Sequence, residues 1–193
     1  MEWCIPIQTF QVENVQIGNI TSGPKPLTAF GYKDSDLKFT SLSILLPHLP
    51  IKSYSPATGR LIISLAESPQ VLSKMLMLQE MILASINSNQ QRWFSNMPYI
   101  RRINDIRQGF QPMIQDSDMH LYCPVTESEL QGPNVYTRSK WARGIIQPGL
   151  LTPGTKLRIL LKLQGISFHI HQASGQWSGK FRLQHRITAI LLP

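Results

Sequence analysis

Lys156, Arg158 and Lys162 stand at alternating positions of residues 154–170, GTKLRILLKLQGISFHI, a run otherwise built mainly of Leu and Ile. Lys180, Arg182 and Arg186 repeat the pattern in GKFRLQHRITAIL. Successive side chains of an extended strand face opposite sides of a sheet, so both runs predict a strand with one apolar and one cationic face. Leu157, Ile159, Leu161 and Leu163 fall on the apolar side of the first run. Phe181, Leu183, Ile187 and Ala189 fall there in the second, together with His185. Rows of fixed cations attract polyanions, above all nucleic acid and less specifically an anionic membrane surface; a basic solubilising face is the plain alternative.

Two further stretches interleave cations with flat rings. Residues 92–110, RWFSNMPYIRRINDIRQGF, place Arg92, Arg101, Arg102 and Arg107 among Trp93, Phe94, Tyr99 and Phe110. VYTRSKWARGII does the same with Tyr136, Arg138, Lys140, Trp141 and Arg143. A site that grips a single strand needs both kinds of residue, cations for phosphates and rings for unpaired bases. Trp93 and Phe94 equally suit the core at the end of a helix.

Other chemistry finds little support. His169-Ile170-His171 has the histidine–hydrophobe–histidine form of a rolling-circle nuclease metal site, but Tyr136, the last tyrosine, lies upstream and nothing helical follows. The two histidines read as surface residues of a strand. Asp116, Asp118, His120 and Cys123 lie close in sequence, yet no second pair at zinc-like spacing completes four ligands. There is no phosphate-binding Walker loop, no dinucleotide-binding glycine fingerprint and no Gly-x-Ser-x-Gly elbow. The expectation is a protein that is not an enzyme, with no catalytic residues, no metal and no cofactor.

The elements that must position these residues follow from periodicity. FQVENVQIGNI alternates loosely and predicts a first strand. SGPKPL and GYKDSD read as loops. LKFTSLSILL predicts a second strand stopped by PHLP, and SPATG turns the chain into a third, RLIISL. Ser68-Pro69 then opens a helix, with Ser as N-cap and Pro at the first helical position. Leu72, Met75, Leu76, Ile82, Leu83 and Ile86 recur at three and four residues, giving an apolar stripe that should fade in NSNQQ. QDSDMH and TESELQGPN read as solvated loops, Gly165 as a bulge or bend, and HQASGQWSG as a hairpin loop.

The whole chain sets the frame. Its 193 residues, 42% hydrophobic, suffice for one core, so residues 1–193 are expected to form a single domain. No apolar run reaches the length of a membrane-spanning helix, and MEWCIPIQTF lacks the features of a signal peptide. Two cysteines, Cys4 and Cys123, make no disulfide framework, which points to an intracellular, reducing site. The net charge of +8 is unevenly placed. Residues 130–193 hold nine of the nineteen Lys and Arg and none of the eleven acids.

Three strands, a long helix and then more strands in this length fit a mainly β fold: a five-stranded Greek-key barrel of the oligonucleotide-binding type, with the helix between strands three and four. The sequence resembles the single-stranded-DNA-binding proteins of large eukaryotic DNA viruses and related viral elements. Phe39 to Pro47 followed by GRLIISL resembles that family's paired early strands. NSNQQRWF resembles its helix exit, GTKLRILLKLQGISF its penultimate strand and KFRLQHRI its closing strand. Ser167 is a departure, since family members commonly carry an aromatic residue after Gly-Ile; stacking would then pass to Trp177 or Trp141. The resemblance implies sequence-tolerant binding of single-stranded DNA during viral DNA replication, by several copies side by side and without a membrane. Lys156, Arg158, Lys162, Lys180, Arg182 and Arg186 would follow the backbone while two or three of Trp93, Tyr99, Tyr136, Trp141 and Trp177 stack on bases. An RNA-binding module, or a viral structural or assembly protein with a basic genome-facing surface, shares most of these features.

Overall fold

The C-terminal alternation is realised as two fifteen-residue strands, Lys156–Ile170 and Trp177–Leu191, paired antiparallel. They belong to a computed structural model that describes residues 3–125, 133–136, 141–142 and 148–193, with the backbone alone for Asn134, Tyr136, Trp141, Ala142 and Pro148. In chain order the elements are β1 (Ile5–Pro6), β2 (Val15–Ile20), β3 (Leu27–Lys33), β4 (Lys38–Phe39), β5 (Leu42–Leu45), β6 (Leu49–Ser55) and β7 (Arg60–Ser64). The helices α1 (Pro69–Trp93) and α2 (Ile103–Gly109) follow. The strands then resume as β8 (Phe110–Gln111), β9 (Ile114–Gln115), β10 (Asp118–Tyr122), β11 (Asn134–Tyr136), β12 (Trp141–Ala142), β13 (Lys156–Ile170) and β14 (Trp177–Leu191).

The apolar face of β13 sets the core. Leu157, Ile159, Leu161 and Leu163 are fully buried, as are Leu42 and Ile44 of β5 and Leu61 and Ile63 of β7. Gly165 then shifts the phase. Its φ of 145° is a conformation that side chains with a Cβ rarely adopt, and a Cβ there would collide with the Thr28 carbonyl oxygen of β3. The pairing slips between Leu163 and Gly165, so the buried side passes to Ile166 and Phe168. A second slip skips Thr188, which sets Ala189 opposite Leu160 rather than on the side of Ile187.

The expected helix is present, with Ser68 before it and Pro69 in its first turn. Val71, Met75, Leu78, Ile82, Leu83 and Ile86 bury its stripe, whereas Leu76 lies outside it, 42% exposed. The helix does not fade in NSNQQ but continues to Trp93. Tertiary bonds explain the extra turn. The buried Gln90 amide donates to the Arg101 carbonyl (2.8 Å) and accepts from the Arg101 N–H (2.9 Å). Gln79, also buried, accepts from the Ile114 N–H at 3.0 Å, so the helix fixes the chain that follows it.

Three of the longer strands were hidden from the sequence pattern. β3 runs from Leu27, the end of one expected loop, through Gly31–Lys33, the start of the next, because Phe30 and Tyr32 are core residues. In PHLP only Pro47 and His48 interrupt the strands; Leu49 and Pro50 already begin β6, with Pro50 opposite Lys156. QDSDMH holds a turn at Asp116-Ser117 and then β10, where Lys52 forms an ion pair with Asp118. The strands form one large mixed sheet whose main path is β12-β11-β14-β13-β6-β7-β10-β9. Its ladders do not close into a barrel among the described residues. The long helix lies between β7 and β8, with α2 between them. Among the described residues no helix is long and apolar enough to cross a membrane.

Candidate nucleic-acid interface

β13 and β14 bring part of the cationic pattern onto one surface. Lys162 pairs with Arg186 and Ser167 with Arg182, each couple directly opposite across the ladder. Lys180 continues the row toward the hairpin end, where the His169 ring lies 3.0 Å from the Ser178 hydroxyl. Lys180, Arg182 and Arg186 are exposed, and among the described residues no carboxylate pairs with them. At the other end of β13 the cations are engaged. Lys156 lies 3.6 Å from the Glu67 carboxylate, a solvent-exposed pair of small worth, and the Arg158 Nε donates to the Leu46 carbonyl at 3.3 Å. The open positive surface is therefore the hairpin-side part of the predicted row.

The aromatic residues divide differently from the sequence expectation. Trp93 and Trp177 are core residues, 8% and 2% exposed. Trp177 stacks on Phe94 with ring centroids 4.9 Å apart and meets Phe168 edge-on at 5.7 Å. Trp93 also meets Phe168 edge-on, at 5.9 Å. The Trp177 indole N–H donates to the Lys180 carbonyl at 3.0 Å, which locks the ring inward. Neither Trp93 nor Trp177 has a free face for a base, so Trp177 does not take over the duty left by Ser167.

Arg101 seals this cluster. Its guanidinium lies 5.3 Å from the centroid of Trp177 and 5.4 Å from that of Tyr99, and donates to the Trp177 carbonyl at 3.3 Å. Gly179 lies beside it, and its φ of 88° is a backbone conformation that favours glycine. Tyr99 itself is 59% exposed and Arg102 is exposed next to it. Arg107, by contrast, is held by Glu80 through two bonds of 2.7 and 2.9 Å. That bidentate contact keeps the Glu80 carboxyl below its usual range. Arg107 is thus a surface ion-pair residue bridging α1 and α2. Tyr136 and Trp141 pair in the β11–β12 ladder beside the end of β14. Arg138, Lys140 and Arg143 lie outside the described residues.

A groove of about 230 Å³ opens where the end of β10 approaches β14. Gln164, Gln184 and Arg186 line it together with Tyr122, Pro124 and Pro133. Tyr122 was missed by sequence reasoning; it is as exposed as Tyr99. A ring four residues before the TESEL stretch carried no signal until β10 placed it beside the cationic face. His185 forms the seam here. Its Nε2 accepts the Tyr122 backbone N–H at 3.1 Å, so its Nδ1 carries the proton and points at the Leu183 carbonyl, 3.4 Å away. Burial, with a smaller contribution from Arg182, holds the ring below the usual histidine range and favours the neutral form.

Cys123, also at the groove, is a buried free thiol whose pKa burial pushes up to about 12; Cys4 is free and exposed. Among the described residues no cluster of His, Cys, Asp and Glu could hold a metal ion. Comparison with protein-family models, curated proteins and solved structures finds no match.

Proposed function

We propose that this protein binds single-stranded nucleic acid, DNA in the first place, along the cationic face of β13 and β14. The observation that carries the reading is the pairing of Lys162 with Arg186 on the same surface as Arg182 and Lys180, with Tyr122 exposed beside Arg186 and Tyr99 exposed near the hairpin end of β14. Phosphates would lie along the cations and bases against the tyrosines. Such binding tolerates sequence, because every base offers a π-face.

An oligonucleotide-binding-type arrangement of part of the sheet belongs to the same proposal. In the sheet β14, β13, β6, β7 and β10 are neighbours in that order, and no ladder joins β10 to β14 among the described residues. Where β10 meets β14, the Tyr122–His185 bond spans the gap. The inserted helix of this path would sit between β7 and β10. A function in protecting strands exposed during viral DNA replication, inside the cell and with several copies side by side, accords with a sequence-tolerant grip.

Gel shifts of single-stranded DNA, duplex DNA and RNA at two salt concentrations test the reading. With about four phosphates neutralised, log affinity should fall against log salt with a slope near −3, at about −0.7 per contact. Single strands should compete better than duplex. A flat salt response, or stronger retention of duplex, overturns the proposal. RNA bound more tightly than DNA would redirect it to an RNA-binding module.

A further inference from the structure

The groove beside Arg186 has a feature that a bare phosphate track does not need. The β13–β14 ladder skips Gln164: Leu163 faces His185, and Gly165 faces Gln184. This bulge sets the two glutamines next to each other at the groove, half-buried. Neither side-chain amide has a hydrogen-bond partner among the described residues. Their polar atoms are not sealed from solvent, so the unused donors and acceptors are open to a ligand in the groove. Two of them side by side present four donors and two acceptors, and Arg186 adds donors alone.

Charge alone would recruit anions, but amides discriminate by the pattern of donors and acceptors on a planar edge. That is the chemistry by which Gln and Asn read bases. Tyr122 supplies an aromatic wall, its ring resting against Gly59, and Pro124 and Pro133 supply apolar ones. At about 230 Å³ the groove is smaller than the roughly 300–1,000 Å³ typical of pockets for drug-sized ligands, and is suited to one flat ring system. We infer that this groove is a base pocket: it takes a single nucleobase of the bound strand, whose polar edge pairs with Gln164 and Gln184 while Arg186 holds the adjoining phosphate. The inference rests on the proposed single-strand binding and adds one position of base preference to an otherwise tolerant grip.

The four deoxynucleoside 5′-monophosphates, with deoxyribose 5-phosphate as the base-less control, test the pocket on the full chain. The NMR signals of the Gln164 and Gln184 side-chain amides should shift with at least one mononucleotide and stay in place with the control. Replacing both, Gln164→Leu with Gln184→Leu, should weaken the preferred mononucleotide about fivefold or more and level the differences among the four. The salt slope for a long oligo-dT should remain, since no phosphate contact has been removed. Silent amides, equal shifts with the base-less control, or an unchanged preference in the double variant would each overturn the pocket. Oligo-dT binding then tells the two proposals apart: if it persists, only the pocket is lost, and if it is absent too, single-strand binding goes with it.

Discussion

Lys162 and Arg186 face each other directly across β13 and β14, two cations at a cross-strand position where like charges ordinarily repel. Arg186→Glu should therefore act in opposite directions on two measurements. Stability should hold or rise by about 0.2–1 kcal/mol in denaturant melts, since an opposite charge replaces a like one. Affinity for oligo-dT should drop sharply. Loss of stability and binding together would mean that Arg186 serves the fold.

Arg182 and Arg186 have no carboxylate partners among the described residues, so removing them should subtract phosphate contacts cleanly. Arg182→Ala with Arg186→Ala should lower the magnitude of the salt slope by about 1.4, at about 0.7 per contact. Arg107→Ala should leave the slope unchanged, because its charge is already matched by Glu80. Titrations at several salt concentrations check both expectations.

The His185 ring makes the β10–β14 seam sensitive to acid. Its neutral Nε2 accepts the Tyr122 N–H, and burial holds its pKa below the ordinary value of 6.5. The unfolded chain therefore takes up the proton first. Stability from this group is complete above about pH 6.5 and declines as the pH falls below it. Thermal melts at pH 5 and pH 7.5 should differ in that direction, and His185→Gln should narrow the difference. An identical difference in the variant would assign the acid sensitivity elsewhere.

Burial of Trp93 and Trp177 changes what fluorescence should report. Their rings are packed against Phe168, and Trp177 is also stacked on Phe94, so bound bases cannot reach them. Any tryptophan quenching by oligo-dT should survive Trp177→Phe. Tyr99→Ala and Tyr122→Ala should each weaken binding by about 1–3 kcal/mol if each ring stacks one base. Unchanged affinity in both tyrosine variants would remove stacking from the proposal.

The physical reasons for what sequence showed and hid are specific. Alternation made β13 and β14 plain, because a two-residue period in long runs has no competing explanation. Ser68-Pro69 and the three-to-four spacing marked α1 equally well. β3, β6 and β10 escaped because each begins beside turn-forming residues: Pro26, the Pro47 and Pro50 pair, and Asp116-Ser117. Their strand character comes from partners distant in sequence, such as Tyr122 opposite Arg60. The site divided along the same line. The cations of β13 and β14 were legible as a row, but exposure of a ring is a tertiary property. Trp177 and Tyr122 look equally suited to stacking in sequence, and packing sends the first inward and leaves the second at the groove.

The sharpest test of how that row is built concerns Gly165. The glutamine bulge, the change of buried parity and the crossing of β3 all meet there. Gly165→Ala would hold an L side chain at a φ of 145° and drive its Cβ into the Thr28 carbonyl, which belongs to the neighbouring backbone and cannot swing aside. Backbone strain of about 1–3 kcal/mol adds to overpacking of similar size, so the variant should lose about 2–6 kcal/mol or fail to fold. Gly175, with a φ of 66° but open space around it, is the control: Gly175→Asn should be tolerated with little loss. Denaturant melts of the two variants check the contrast, and equal stability would mean that β3 does not press on β13 at the bulge.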